Sequence, residues 1–92
     1  MVRSGRVNPL ERVDPPEQVL VDLSCLFRHA PHHQAVYTAG GLKASGCVEA
    51  KLSMFGTTTE GARLAYVTYR MEFGGDSAPV THWVPVWMVK PI

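Results

Sequence analysis

The chain has 92 residues, which is enough for one hydrophobic core but too few for two independent domains. Nine basic and eight acidic residues give a formal net charge of +1, which predicts against nucleic acid as a partner because such proteins need a dense basic face. The sequence has neither a secretory signal nor a run of about 18 apolar residues, so it predicts a cytoplasmic protein without a membrane span.

Residues 1–13 have no sustained hydrophobic period and are predicted to form a flexible arm before a single domain at 14–92. The domain is predicted to begin with a helix from Asp14 to Ala30. Asp14 can cap this helix, Pro15 suits its first position, and Glu17 favours the positive end of its dipole. Five apolar residues then share one helical face: Val19, Leu20, Leu23, Leu26 and Phe27.

The same segment also fits a strand, because apolar side chains alternate from Val19 to Phe27. In that alternative the segment is the first strand of a small five-stranded barrel. The capping signal and the two prolines favour the helix.

The rest of the chain has the pattern of short strands separated by polar turns. Strands are predicted at Ala35–Thr38, Cys47–Phe55, Arg63–Phe73 and Val80–Val89. Consecutive strands with short connections pair antiparallel, and a helix can cover one face of the sheet. The predicted fold class is therefore α+β, with an N-terminal helix packed on a three- to four-stranded antiparallel meander.

Alternation along the last two strands predicts which side chains face the core. On the third strand the predicted core face has Ala65, Val67, Tyr69, Met71 and Phe73, and the opposite face has Leu64, Tyr66, Thr68, Arg70 and Glu72. On the closing strand the predicted core face has Val80, His82, Val84, Val86 and Met88, and the opposite face has Trp83, Pro85 and Trp87. Because proline cannot donate to a ladder, Pro85 predicts an edge strand or a bulge.

The ending from Thr81 to Pro91 resembles the closing strand of small SH3-like barrels. The resemblance implies the barrel that is the alternative fold. The plasmid-borne dihydrofolate reductases of this architecture bind their ligands with a Val-Gln-Ile-Tyr motif. That motif is missing here, so no site residue of that family is transferred to this chain.

Cysteine and histidine residues raise the question of a metal. Cys25 and His29 are one helical turn apart, with His32 and His33 nearby, but a structural zinc site needs four ligands in recognisable pairs. The sequence therefore predicts neither a metal site nor another cofactor. Cys25 and Cys47 are predicted to be reduced, buried thiols that pack as small apolar groups.

No catalytic signature stands out, because the carboxylates fall in turns or on outward strand faces. A nucleic-acid surface could use Tyr66 as a stacking platform, with four basic residues around it: Arg63, Arg70, Lys43 and Lys51. Glu49 and Glu72 interrupt that surface. Nucleic-acid binding is therefore an alternative and not the expectation.

Trp83 and Trp87 are the most informative side chains, because two indoles on one strand face are costly to leave in water. Either the helix or the N-terminal arm covers them, or they lie at a subunit interface or in a ligand or peptide site. With Tyr66 and Arg70 they form the predicted binding site. The expected function is a small non-catalytic interaction domain, a homo-oligomer or a protein-docking module that uses its sheet and this closing strand. The alternatives are a small-ligand or nucleic-acid module of a phage or mobile gene cassette, and a compact enzyme of unknown reaction.

Overall fold

The computed structural model describes residues 8–27 and 36–92, and its fold is built on an antiparallel five-stranded sheet in the order β4-β3-β2-β1-β5. The strands are β1 at Leu10–Asp22, β2 at Cys47–Thr57, β3 at Arg63–Phe73, β4 at Asp76–Pro85 and β5 at Val89–Pro91. A one-turn helix α1, Leu23–Leu26, follows β1, and a 3₁₀ turn, Val86–Met88, joins β4 to β5. Within the described ranges, none of the helices could cross a membrane.

The prediction of an N-terminal helix is wrong for residues 14–22, the part before Leu23. β1 takes its place, and Val19 and Val21, with 2% and 0% of their surface exposed, point into the core. This segment forms a strand because β2 and β5 pair with β1 on its two sides and supply hydrogen-bond partners for its backbone. The last four residues of the predicted arm belong to β1, and Arg28–Ala30 of the predicted helix lie outside the described residues.

The proline pair that suggested a helix start interrupts a strand instead. The register between β1 and β2 shifts between Arg12 and Glu17, the stretch that contains Pro15 and Pro16. Neither proline has a backbone N–H to donate, so this stretch cannot continue the ladder. The prolines therefore lie in an irregularity of the ladder, where four residues of β1 face one of β2, and they do not start a helix.

The helix cap is Asp22 and not Asp14. One carboxylate oxygen of Asp22 accepts from the backbone N–H of Cys25 at 3.3 Å, and the other accepts from the Cys25 thiol at 3.3 Å. The hydrogen bond from this thiol is the main reason that the pKa of Asp22 lies below its ordinary value of 3.8. The cap thus stands where β1 ends and the chain leaves the sheet.

The meander predicted for the C-terminal half is confirmed. β3 has the predicted bounds, β2 runs two residues past its predicted end, and Gly74 and Gly75 turn the chain between β3 and β4 with positive φ angles. Residues 36–38 of the first predicted strand are not in a strand, and Ala35 lies outside the described residues.

One β-bulge changes the predicted faces of β2. Leu52 pairs with Val67 of the core face, whereas Met54 pairs with Tyr66 of the opposite face, so Ser53 is an extra residue between them. Alternation from Leu52 along an unbroken strand would put Met54 on the core face. The bulge moves it to the other side of the sheet, because each inserted residue reverses the alternation.

The predicted closing strand is two strands, β4 and β5, and the short connection between them requires the sheet to curl. β4 ends at Pro85, level with Gly56 of β2, whereas β5 begins at Val89, level with Val48. In a flat sheet these two levels would be about 25 Å apart along the strands. The 3₁₀ turn can span only about 14 Å. The sheet must therefore twist as well as curl until its edges approach each other, although it is not closed into the barrel of the alternative fold.

The curled sheet buries the side chains of its concave face against one another. Its buried apolar residues are Val19, Val21, Leu23, Ala50, Leu52, Ala65, Val67, Tyr69, Met71, Val84 and Met88. The prediction of buried thiols is wrong for Cys47, which is exposed, whereas Cys25 is half-buried. Cys47 begins β2 opposite Asp22, at the end of the ladder between β1 and β2.

Candidate binding face

The convex side of the sheet, here called the outer face, consists of rows of side chains from neighbouring strands. The first row contains Arg12 of β1, Met54 of β2, Tyr66 of β3 and Trp83 of β4. The second contains Gln18, Lys51, Thr68 and Thr81. The third contains Arg70 and Pro79, with Glu49 of β2 level with Arg70 and opposite Leu20 of β1. Successive rows are about 6.8 Å apart, because they are two residues apart along a strand.

Tyr66 and Trp83 form the aromatic centre of this face. Their ring centroids are 4.7 Å apart and their planes meet at 47°, a tilted arrangement that stabilises aromatic pairs by about 1 kcal/mol beyond burial. Trp83 keeps 37% of its surface exposed. Two of the four residues predicted for the binding site are therefore in direct contact, with Trp83 exposed and Tyr66 half-buried.

Gly56 holds the indole of Trp83 close to the sheet. A Cβ atom at this position would lie 2.9 Å from Cζ3 of Trp83, so only glycine lets the ring rest on the β2 backbone. The sequence pattern predicted Gly56 as part of a turn and missed this role. A glycine between a strand and a polar turn gives no signal that an aromatic ring from another strand will cover it.

A shallow apolar cavity opens beside this indole. Its volume is about 150 Å³, and Leu10, Leu64 and Trp83 are among the residues that line it. Leu10 is 48% exposed and half-buried Leu64 lies opposite Pro85. The outer face therefore has an apolar end next to the aromatic pair.

The other end of the outer face is polar. Thr68 and Thr81 share a hydroxyl hydrogen bond of 2.9 Å across β3 and β4. Arg70, the third predicted site residue, donates from Nε to the Ser77 hydroxyl at 2.7 Å and from Nη2 to the Ser77 carbonyl at 3.1 Å. These bonds use two of the five N–H donors of the guanidinium and fix it above β4.

Trp87, the fourth predicted site residue, does not belong to a strand. It lies in the 3₁₀ turn after Pro85, where the alternation of β4 has ended, and 65% of its surface is exposed. The prediction that Trp83 and Trp87 share a strand face is wrong for this reason. The structure instead presents Trp87 between the two edge strands of the sheet.

A histidine and a tyrosine meet on the concave side. The Tyr69 hydroxyl and Nε2 of His82 are 3.2 Å apart, and the half-buried imidazole packs against the phenol ring. Burial raises the pKa of Tyr69 above its ordinary value of 10.0, because the phenolate would be poorly solvated there. This pair closes one end of the core and does not reach the outer face.

The remaining candidate residues from the sequence are Arg63 and three histidines. Arg63 lies over the Phe55 ring at 4.8 Å and pairs with Glu11 at 3.6 Å, away from Tyr66. His29, His32 and His33 lie outside the described residues, so the structure does not test their part in a metal site. Among the residues it describes, it contains no group of three side chains placed to hold a metal ion.

Comparison of the chain with protein-family models, curated proteins and solved structures finds no match in any of the three. A sheet architecture by itself does not specify a function, because the same fold supports unrelated activities. The chemistry of the surfaces described above therefore carries the functional argument.

Proposed function

We propose that this chain is a small non-catalytic interaction domain that self-associates through its closing segment, residues 76–91. The single observation that carries the proposal is topological. β4 and β5 are the two edge strands of the sheet, and both belong to this one segment, with Trp87 exposed between them. A second copy that covers the closing segment would protect both edges at once.

Side-chain packing supports this assembly better than strand addition does. Pro79 and Pro85 interrupt the donor row of β4, and β5 is only three residues long, so neither edge offers a long ladder. Trp87 is 65% exposed and Ile92, just beyond the segment, is 68% exposed. Tryptophan is enriched among the side chains that dominate interface energies. Trp87 is therefore the expected anchor of the interface.

The resemblance of residues 81–91 to the closing strand of SH3-like barrels also supports the proposal. The closing segment leaves one edge of the sheet through a single 3₁₀ turn and pairs at the opposite edge, although the sheet is not closed. This support is for the fold of the interaction domain and not for a particular ligand.

Light scattering and sedimentation of the purified chain over a range of micromolar concentrations test the proposal. We expect the wild type to exceed the 10.1 kDa mass of one chain, and Trp87→Glu to return it to that mass with unchanged circular dichroism. Loss of a hot-spot tryptophan should weaken association by about 2 kcal/mol or more. Tyr37→Glu is the matched control, because Tyr37 is an aromatic residue with 91% exposure outside the closing segment.

Two results would overturn this assignment. One is a wild type that stays at the mass of a single chain up to high micromolar concentration. The other is a Tyr37→Glu variant that dissociates as readily as Trp87→Glu, since that would attribute the effect to added charge and not to the closing segment.

A further inference from the structure

We propose that the outer face binds single-stranded nucleic acid, with its bases stacked on Tyr66 and Trp83 and its phosphates near Lys51 and Arg70. This inference does not rest on self-association. β4 belongs to both surfaces, but the proposed interface uses its free edge and Trp87, whereas Trp83 and Thr81 lie on the outer face. The inference rests on the aromatic pair and on the placement of the basic residues around that pair.

The aromatic pair has the geometry of a stacking platform. Tyr66 and Trp83 lie side by side on adjacent strands, and Gly56 holds the indole on the sheet, so the rings stand at a fixed height. A ring that is held in this way loses little conformational freedom when a base stacks on it. Every base has an aromatic face, so such a platform accepts any sequence of unpaired bases.

Basic residues form a diagonal stripe beside the platform. Arg12 is in the first row on β1, Lys51 in the second on β2 and Arg70 in the third on β3. Consecutive residues of the stripe are one strand and one row apart, which corresponds to about 8 Å between them on the sheet. A regular line of positive charges next to exposed rings is complementary to a strand that carries one phosphate and one base per unit.

One acidic residue lies within this surface. Continuing the register of Lys51 with Thr68 by two residues places Glu49 of β2 level with Arg70, in the third row, whereas the first two rows contain no acidic residue. Glu72 is one row beyond Arg70 and pairs with Lys43 at 3.7 Å. Asp14 lines the same depression as Arg12 and weakens that end of the stripe. The acidic residues therefore weaken both ends of the stripe, Asp14 at Arg12 and Glu49 at Arg70, and the inference depends mainly on Lys51 and the aromatic pair.

The observations favour a single strand over other anionic partners. An acidic peptide would use the stripe but has no need of paired rings, and a duplex hides its bases from a convex sheet face. The hydroxyl groups of Thr68 and Thr81 lie between the stripe and the rings and can bond to sugar or phosphate oxygens.

Fluorescence anisotropy with a labelled oligothymidylate of about 12 nucleotides tests the proposal at low salt. We expect saturable binding that is at least tenfold tighter than binding to a duplex of the same length or to polyglutamate of equal charge. Lys51→Glu should weaken binding tenfold or more and make the salt dependence shallower, by about 0.7 in the logarithmic slope for each lost phosphate contact.

Lys43→Glu is the matched control for charge. It makes the same change at an exposed lysine near the polar end, outside the three rows. Its effect should be less than a third of that of Lys51→Glu. Trp83→Leu should also weaken binding about tenfold through lost stacking, and Trp83→Phe should restore most of the affinity.

Four results would overturn the inference: absence of binding at low salt, equal affinity for duplex or polyglutamate, equal effects of the two lysine variants, or loss of binding only when the oligomer dissociates. Trp87→Glu, measured in the same assay, distinguishes failure of this inference from failure of the proposed function. Binding that survives in a monomeric Trp87→Glu variant supports the outer face alone.

Discussion

The two faces of β3 have different roles, one in stability and one in binding, although their residues alternate along one backbone. On the concave face Ala65 and Val67 are completely buried, whereas on the outer face Thr68 and Arg70 are exposed. Apolar burial on one side supplies the stability of the sheet, and the other side is left with rings, hydroxyl groups and positive charges. Neighbouring residues of one strand should therefore separate folding from binding when they are changed one at a time.

The largest expected effect is a cavity on the concave face. Leu52 is 3% exposed, so Leu52→Ala should lower the free energy of unfolding by about 3 kcal/mol. Its neighbour Lys51 is exposed on the outer face, and Lys51→Ala should change stability by less than about 0.5 kcal/mol. Urea unfolding of both variants measures the contrast, and comparable losses would mean that the two faces do not divide the tasks in this way.

A smaller effect is expected where the outer face itself is packed. Gly56→Ala would place a Cβ against the Trp83 ring and should cost about 1.5 kcal/mol while moving the indole toward solvent. Tryptophan emission should shift to longer wavelength. In a Trp83→Leu background the same substitution should be nearly neutral, and a double-mutant cycle without coupling would show that the glycine does not support the ring.

The smallest effect concerns Tyr69 and depends on pH. Tyr69→Phe removes the hydroxyl that lies 3.2 Å from His82 and should cost about 1 kcal/mol at neutral pH. Because the folded protein raises the pKa of Tyr69 above 10.0, the unfolded chain ionises first. This contribution to stability is complete below pH 10.0 and is lost as pH rises through the folded pKa. The difference between the two proteins should therefore narrow in alkaline solution, and a constant difference would contradict the burial of the phenol.

Alternation in the sequence determined the meander and the faces of β3, because polar and apolar residues along an isolated strand already specify which side can be buried. The aromatic and basic character of the outer face followed from the same alternation. Pro85 also indicated an edge strand, and β4 is one. These features depend on neighbours along the chain, which a sequence shows directly.

Other features were decided by partners distant in sequence. The segment Val19–Asp22 fits a helix or a strand by pattern, and only β2 and β5 on its two sides settle it as a strand. The bulge at Ser53, the seat of Trp83 on Gly56 and the 3₁₀ turn that exposes Trp87 also depend on the curl of the whole sheet. A local pattern cannot specify them, because the energies that select them arise between residues brought together only by the fold.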